Sequence, residues 1–199
     1  MSRNLIILLH GVGSSGADLA PLGDLWRQKL PDTDFVAPDA PLAFGPGPGR
    51  QWFSINGVTE ANRSQRVAAA RADFDRLLGD LSAAAALSDR LDRVALVGFS
   101  QGSIMALDAL VSGRWPVAGI LAFSGRLASP LPWTPSLATK LLLIHGSVDP
   151  VIPSRESDAA RTLLSQAGVS VDLRILPGVG HTISGEGAAL GGDFLSGLF

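Results

Sequence analysis

Apolar residues in this chain fall into short, nearly unbroken runs, separated by alanine- and leucine-rich stretches of helical spacing or by segments crowded with glycine and proline. Residues 5–9 (LIILL), 93–98 (RVALVG), 117–123 and 141–145 read as buried strands, with 35–37 a weak second strand and 171–176 the last. Helices are expected over 17–30, 62–86, 101–111, 154–167 and 186–198. The first has Ser15 or Asp18 as cap and Pro21 near its start, and the second is expected to break near Gly79. Two segments fit neither period. Residues 38–57 are too rich in Pro and Gly for regular structure, and 124–139 are irregular as well. A loop as long as 38–57 is normally functional or disordered. Its GRQWFS stretch carries Trp52 and Phe53, residues that a disordered segment rarely uses. An ordered loop with packed aromatics is therefore expected.

Strands alternating with helices predict the α/β class, with a mostly parallel central sheet and helices on both faces. No repeat or linker interrupts the chain, so residues 1–199 read as one domain. In such sheets function collects on the loops after the C-terminal strand ends. Those loops are HGVGSSG, GRQWFS, FSQGS, SGRLASP, GSVDPVIP and PGVGHTIS, and they hold most of the polar candidates.

Composition narrows the classes. The chain is 46% hydrophobic, which predicts a folded protein. Net charge is −2 and the 16 basic residues are scattered, so no nucleic-acid partner is expected. There are no cysteines, which excludes disulfides, thiolate-held zinc and a cysteine nucleophile. The apolar run near the N-terminus is too short for a signal sequence, and none approaches the roughly 18 residues of a membrane span. A cytoplasmic protein without stable membrane insertion is the expectation; monomer and homodimer both stay open.

Two glycine motifs compete. Gly11, Gly13 and Gly16 spell G-x-G-x-x-G between strand and helix, as in a dinucleotide-binding turn. That reading wants an acid about 20 residues on, at the end of the second strand. Asp39 instead lies beyond a proline, and His10 separates the strand from the first glycine. The second motif, GFSQG at Gly98–Gly102, matches G-x-S-x-G, again between strand and helix. A nucleophile elbow needs that context, because the sharp turn exposes the serine hydroxyl. Ser100 needs a base. His181, just past the last strand, is the best placed of three histidines, with His10 its rival and His145 ending a strand. Asp149, after the penultimate strand, is the orienting carboxylate; Asp158 and Asp172 fall inside a helix and a strand. The order Ser100, Asp149, His181 is that of Ser-Asp-His hydrolases of α/β type.

The motifs LHGVGSSG, GRQWFS, GFSQG, HGSVDPVIP and GVGHTIS resemble, in order, those of the phospholipase/carboxylesterase family of α/β-hydrolases, most of all its bacterial esterase branch. The resemblance implies an α/β-hydrolase fold without a large cap and two-step hydrolysis of carboxylic esters of short or medium acyl chains, with thioesters and lysophospholipids as the alternative substrates. It implies Ser100 as nucleophile, His181 as base, Asp149 as acid, and the Val12 and Gln101 N–H groups as oxyanion hole, with neither cofactor nor metal. Ser14 and Ser15 stand where many relatives have an acid, and Ser54 where many have Asp. Trp52, Phe53, Leu127, Val151 and Ile152 lie on the surrounding loops as candidates for an apolar acyl pocket. Arg50 and Arg126 read as solvated surface, with an anionic leaving group as the functional alternative. A nucleotide-binding oxidoreductase and a non-catalytic binding protein of the same fold are the other classes.

Overall fold

A computed structural model describes residues 3–199. In chain order the elements are β1 (Asn4–Leu9), α1 (Gly16–Trp26), β2 (Thr33–Val36), β3 (Leu42–Ala43), β4 (Arg50–Gln51), α2 (Glu60–Ala69), α3 (Arg71–Ala84), β5 (Val94–Phe99), α4 (Gln101–Val111), β6 (Gly119–Phe123), β7 (Lys140–Gly146), α5 (Arg155–Gln166), β8 (Val171–Leu176) and α6 (Gly185–Ser196). Six strands form one parallel sheet in the order β2-β1-β5-β6-β7-β8. The chain steps from β1 out to β2, then recrosses to β5 and proceeds the other way. Strand order thus reverses between β1 and β5, and the loops leaving their C-terminal ends open a crevice. Pairing of Leu9 with Gly98 brings the start of HGVGSSG level with the serine turn.

Alternation along the strands sorts the core into two layers. Leu5, Ile7 and Leu9 point to a layer shared with Val67 of α2, Phe74 of α3, most of α4 and Leu164 of α5. Ile6 and Leu8 point to the other, with Trp26 of α1 and Leu195 of α6. Each such buried side chain contributes about 1.5–3 kcal/mol. The two helices of the second layer are also tied by the Trp26 indole, which donates to the Ala188 carbonyl at 2.8 Å.

Three expectations change. Helix α1 ends at Trp26, and the chain closes in turns in which Lys29 and Leu30 N–H both donate to the Trp26 carbonyl, just before Pro31. The span 62–86 holds two helices that part at Ala70, not at Gly79. Arg71 departs there to form two hydrogen bonds of 2.9 Å with the buried Asp108 carboxylate on α4. Around Gly79 nothing approaches, so nothing forces a break. Residues 38–57 are not wholly irregular: β3 and β4 pair antiparallel, and Arg50 bridges to Ser14. The segment 124–139 is irregular as expected, and Trp52 and Phe53 are buried. Among the described residues, no helix is long and apolar enough to cross a membrane.

Candidate active site

Strand β5 ends at Phe99 and α4 starts at Gln101, so a single residue makes the turn. That residue, Ser100, has φ 53° and ψ −113°, a conformation that side chains normally avoid and surrounding structure must enforce. Its N–H donates to the Phe123 carbonyl at 3.0 Å and its carbonyl accepts from Ile104 N–H at 3.1 Å. Helix α4 sits so close to β1 that a Cβ on Gly102 would lie 2.0 Å from the Leu9 oxygen.

His181 arrives on the loop after β8, and Asp149 on the loop after β7. His181 Nε2 lies 2.9 Å from Ser100 Oγ, and its Nδ1 lies 2.7 Å from Asp149 Oδ2. An ionised carboxylate only accepts, so Nδ1 carries the proton and Nε2 is free to accept from the serine hydroxyl. Asp149 Oδ1 also accepts from the Val151 and Ile152 N–H groups, at 2.8 and 2.9 Å. Burial pushes the Asp149 pKa up, but the bonds from His181, Ile152 and Val151 outweigh it and hold the group below 3.8.

The other histidines have both ring nitrogens engaged. His10 Nε2 accepts from Ala40 N–H at 3.0 Å, which leaves Nδ1–H to donate to the Gly11 carbonyl at 2.7 Å. That leaves no ring nitrogen for a base at Ser100. His145 is buried with Nε2 2.7 Å from the Ile152 carbonyl and Nδ1 2.7 Å from Ser157 Oγ. The carbonyl accepts only, so Nε2 bears the proton, and it also stands 3.3 Å from Asp149 Oδ2. This backing of Asp149 by His145 was not visible in the sequence.

Val12 and Gln101 both face the same cleft as Ser100. Among the described residues neither backbone N–H donates a hydrogen bond; that of Gln101 is one of the free donors of the first turn of α4. The long loop 38–57 braces both. Gly13 N–H donates to the Arg50 carbonyl and Arg50 N–H to that of Ser14, each at 2.8 Å, while the Trp52 indole donates to the His10 carbonyl at 2.8 Å. From the other side, Gln101 Oε1 accepts from Trp52 N–H and Nε2 donates to the Phe53 carbonyl, both at 2.7 Å.

The glycine turn itself holds no room for a pyrophosphate. Gly16 N–H donates to Asp39 at 2.8 Å and Ser15 N–H to Asp18 at 2.9 Å, so two carboxylates occupy the N-terminus of α1.

Of the five residues expected around a pocket, Phe53, Val151 and Ile152 line the cleft of about 260 Å³ beside Ser100. Two expected members lie elsewhere. Trp52, only 2% exposed, packs edge-on against Phe74 and beside His10, and so anchors the loop. Leu127 packs against the core and opens on a separate small hollow. Arg50 spans the Ala40 and Pro41 carbonyls as a loop brace. Arg126, expected at the surface, lines the cleft with its side chain 13% exposed. A second, larger groove of about 550 Å³ runs beside His181 between α1 and the loop before α6.

The sequence matches the family described as Phospholipase/Carboxylesterase over residues 1–197. It is 36% identical to esterase YpfH of Escherichia coli over 98% of this chain and 82% of that one. It is 30% identical to acyl-protein thioesterase 1 of Neurospora crassa over 96% of this chain and 85% of that one. Among solved structures it resembles esterase PE8, with a TM-score of 0.88, 37% identity and coverage of 100% and 94%. A carboxylesterase from Mesorhizobium loti gives 0.81 at 25% identity, covering 99% and 90%. These neighbours share the α/β-hydrolase fold.

Proposed function

Because the chain belongs to the phospholipase/carboxylesterase family and is a hydrolase of the serine-esterase kind, we propose that residues 1–199 work as one catalytic domain that cleaves small carboxylic esters, and thioesters by the same chemistry, through Ser100. His181 Nε2 takes the hydroxyl proton as Ser100 Oγ attacks the carbonyl carbon. The Val12 and Gln101 N–H groups receive the negative charge on the carbonyl oxygen; losing one such donor typically costs about 10²–10³ in kcat. As the tetrahedral adduct collapses, His181 gives its proton to the departing alcohol or thiol. Water, deprotonated in turn by His181, then releases the acid and restores Ser100. Asp149 holds the histidine in the tautomer that this needs and stabilises its charged form.

The observation that carries this reading is the unbroken chain from Ser100 Oγ to His181 at 2.9 Å and from His181 to Asp149 at 2.7 Å, with Ser100 itself forced into a strained turn. The modest size of the cleft beside Ser100 supports acyl groups of short or medium length. The test is p-nitrophenyl butyrate hydrolysis by the wild type and by Ser100→Ala. Turnover by the first alone is expected. Turnover retained in the variant contradicts the nucleophile, and none by either folded protein contradicts the esterase.

A further inference from the structure

The two openings at the site have different chemistry around them. The leaving group must meet His181, which lines the groove between α1 and the loop before α6 and not the cleft beside Ser100. The cleft instead carries Ser100 with the Val12 and Gln101 N–H groups, and so receives the acyl half of the substrate. Its charged lining is two arginines, Arg63 and Arg126, set among apolar residues such as Phe53, Ile55 and Ile152.

Both arginine side chains are largely enclosed, 20% and 13% exposed, and their carboxylate partners lean away. Glu60, 83% exposed, is shared between them, 2.7 Å from Arg63 and 3.3 Å from Arg126. Glu156 stands 3.8 Å from Arg126 Nε. Neither glutamate lines the cleft; both line a small polar hollow on the far side of the arginines. The Arg126 Nη2 group enters no hydrogen bond among the described residues. The charged residues that line the cleft are therefore both cationic, and the Arg126 guanidinium keeps one NH₂ group without a partner among the described residues, a match for a carboxylate.

We propose that the acyl groups this enzyme favours carry a carboxylate at the far end, with Arg126 and Arg63 as the groups that recognise it. The substrate class is then the monoester, or monothioester, of an unbranched dicarboxylic acid. This rests on the assignment of Ser100 as nucleophile.

The test compares monoethyl succinate, glutarate and adipate with ethyl esters of uncharged acyl chains of the same length, by pH-stat. At the best length, kcat/KM for the charged ester is expected to exceed that of its neutral counterpart about tenfold or more. The excess should shrink as salt is added. Arg126→Gln is expected to bring the ratio to one or below. Glu60→Gln, at an exposed position, should raise it by removing the competing carboxylate. A ratio at or below one at every length in the wild type, with the neutral esters cleaved, overturns this proposal alone. So does a ratio that neither substitution moves. Loss of p-nitrophenyl butyrate turnover as well overturns the esterase reading with it.

Discussion

The side chain of Gln101 is hydrogen-bonded to the backbone of Trp52 at 2.7 Å, so the residue after Ser100 clamps a loop nearly 50 positions earlier in the chain. The same amide donates to Phe53, and the Trp52 indole reaches the His10 carbonyl beside Val12. The long loop thus braces both segments that carry the Val12 and Gln101 N–H groups at the cleft.

Gln101→Ala leaves the backbone donor in place but strands a buried N–H at Trp52 and a buried carbonyl at Phe53. A loss of about 3 kcal/mol in stability is expected, read by urea denaturation. A fall in kcat should accompany it, with KM for small esters changing less. An equal stability in the variant would mean that the clamp carries no energy.

Asp149→Asn replaces an acceptor with an amide that can turn its NH₂ toward His181. The histidine then adopts the wrong tautomer, and kcat is expected to fall by about 10³–10⁴ with the fold retained. Steady-state kinetics and circular dichroism on one preparation separate the two effects.

Gly102→Ala places a methyl group against the Leu9 backbone oxygen, which cannot swing aside as a side chain would. Either α4 or the end of β1 must shift, at a cost of about 3 kcal/mol. Because Leu9 leads directly into His10 and Val12, activity measured well below the melting temperature is expected to fall too.

The fully buried Asp108 gives a pH signature. Burial raises its pKa, but the hydrogen bonds and charge of Arg71, with Arg114 beside it, hold it below 3.8. A carboxyl depressed in the folded state stabilises above its unfolded pKa, and that stability is lost as pH falls through the folded value. Asp108→Asn should therefore lower Tm clearly at pH 7, by the equivalent of about 3 kcal/mol. The gap to wild type should close below pH 3.8. A gap that stays constant with pH would contradict the ion-pair account.

Much of this site was legible because its chemistry sits at strand ends. Ser100 and Asp149 follow buried apolar strands and His181 follows the half-exposed last strand, so their order along the chain brings all three to the C-terminal end of the sheet. What tertiary contacts decide was not legible. The break at Ala70 lies next to Arg71, which pairs with Asp108 on another helix, and no local residue marks it. The short β3–β4 pairing sits where Arg50 also bridges to Ser14, a contact between segments 36 positions apart. Trp52 has the composition of a pocket residue, yet Phe74 and His10 enclose it. Arg126 reads as surface from its charge, but its side chain is only 13% exposed and lines both the cleft and the hollow that holds Glu60 and Glu156.

The most direct test of the central claim is the intact mass of the protein after exposure to diethyl p-nitrophenyl phosphate, which traps an activated serine as a stable phosphoryl ester. One adduct per chain is expected, mapped by peptide analysis to Ser100, appearing in step with loss of esterase activity and absent from Ser100→Ala. An adduct on another residue, or full activity with Ser100 modified, would contradict the account.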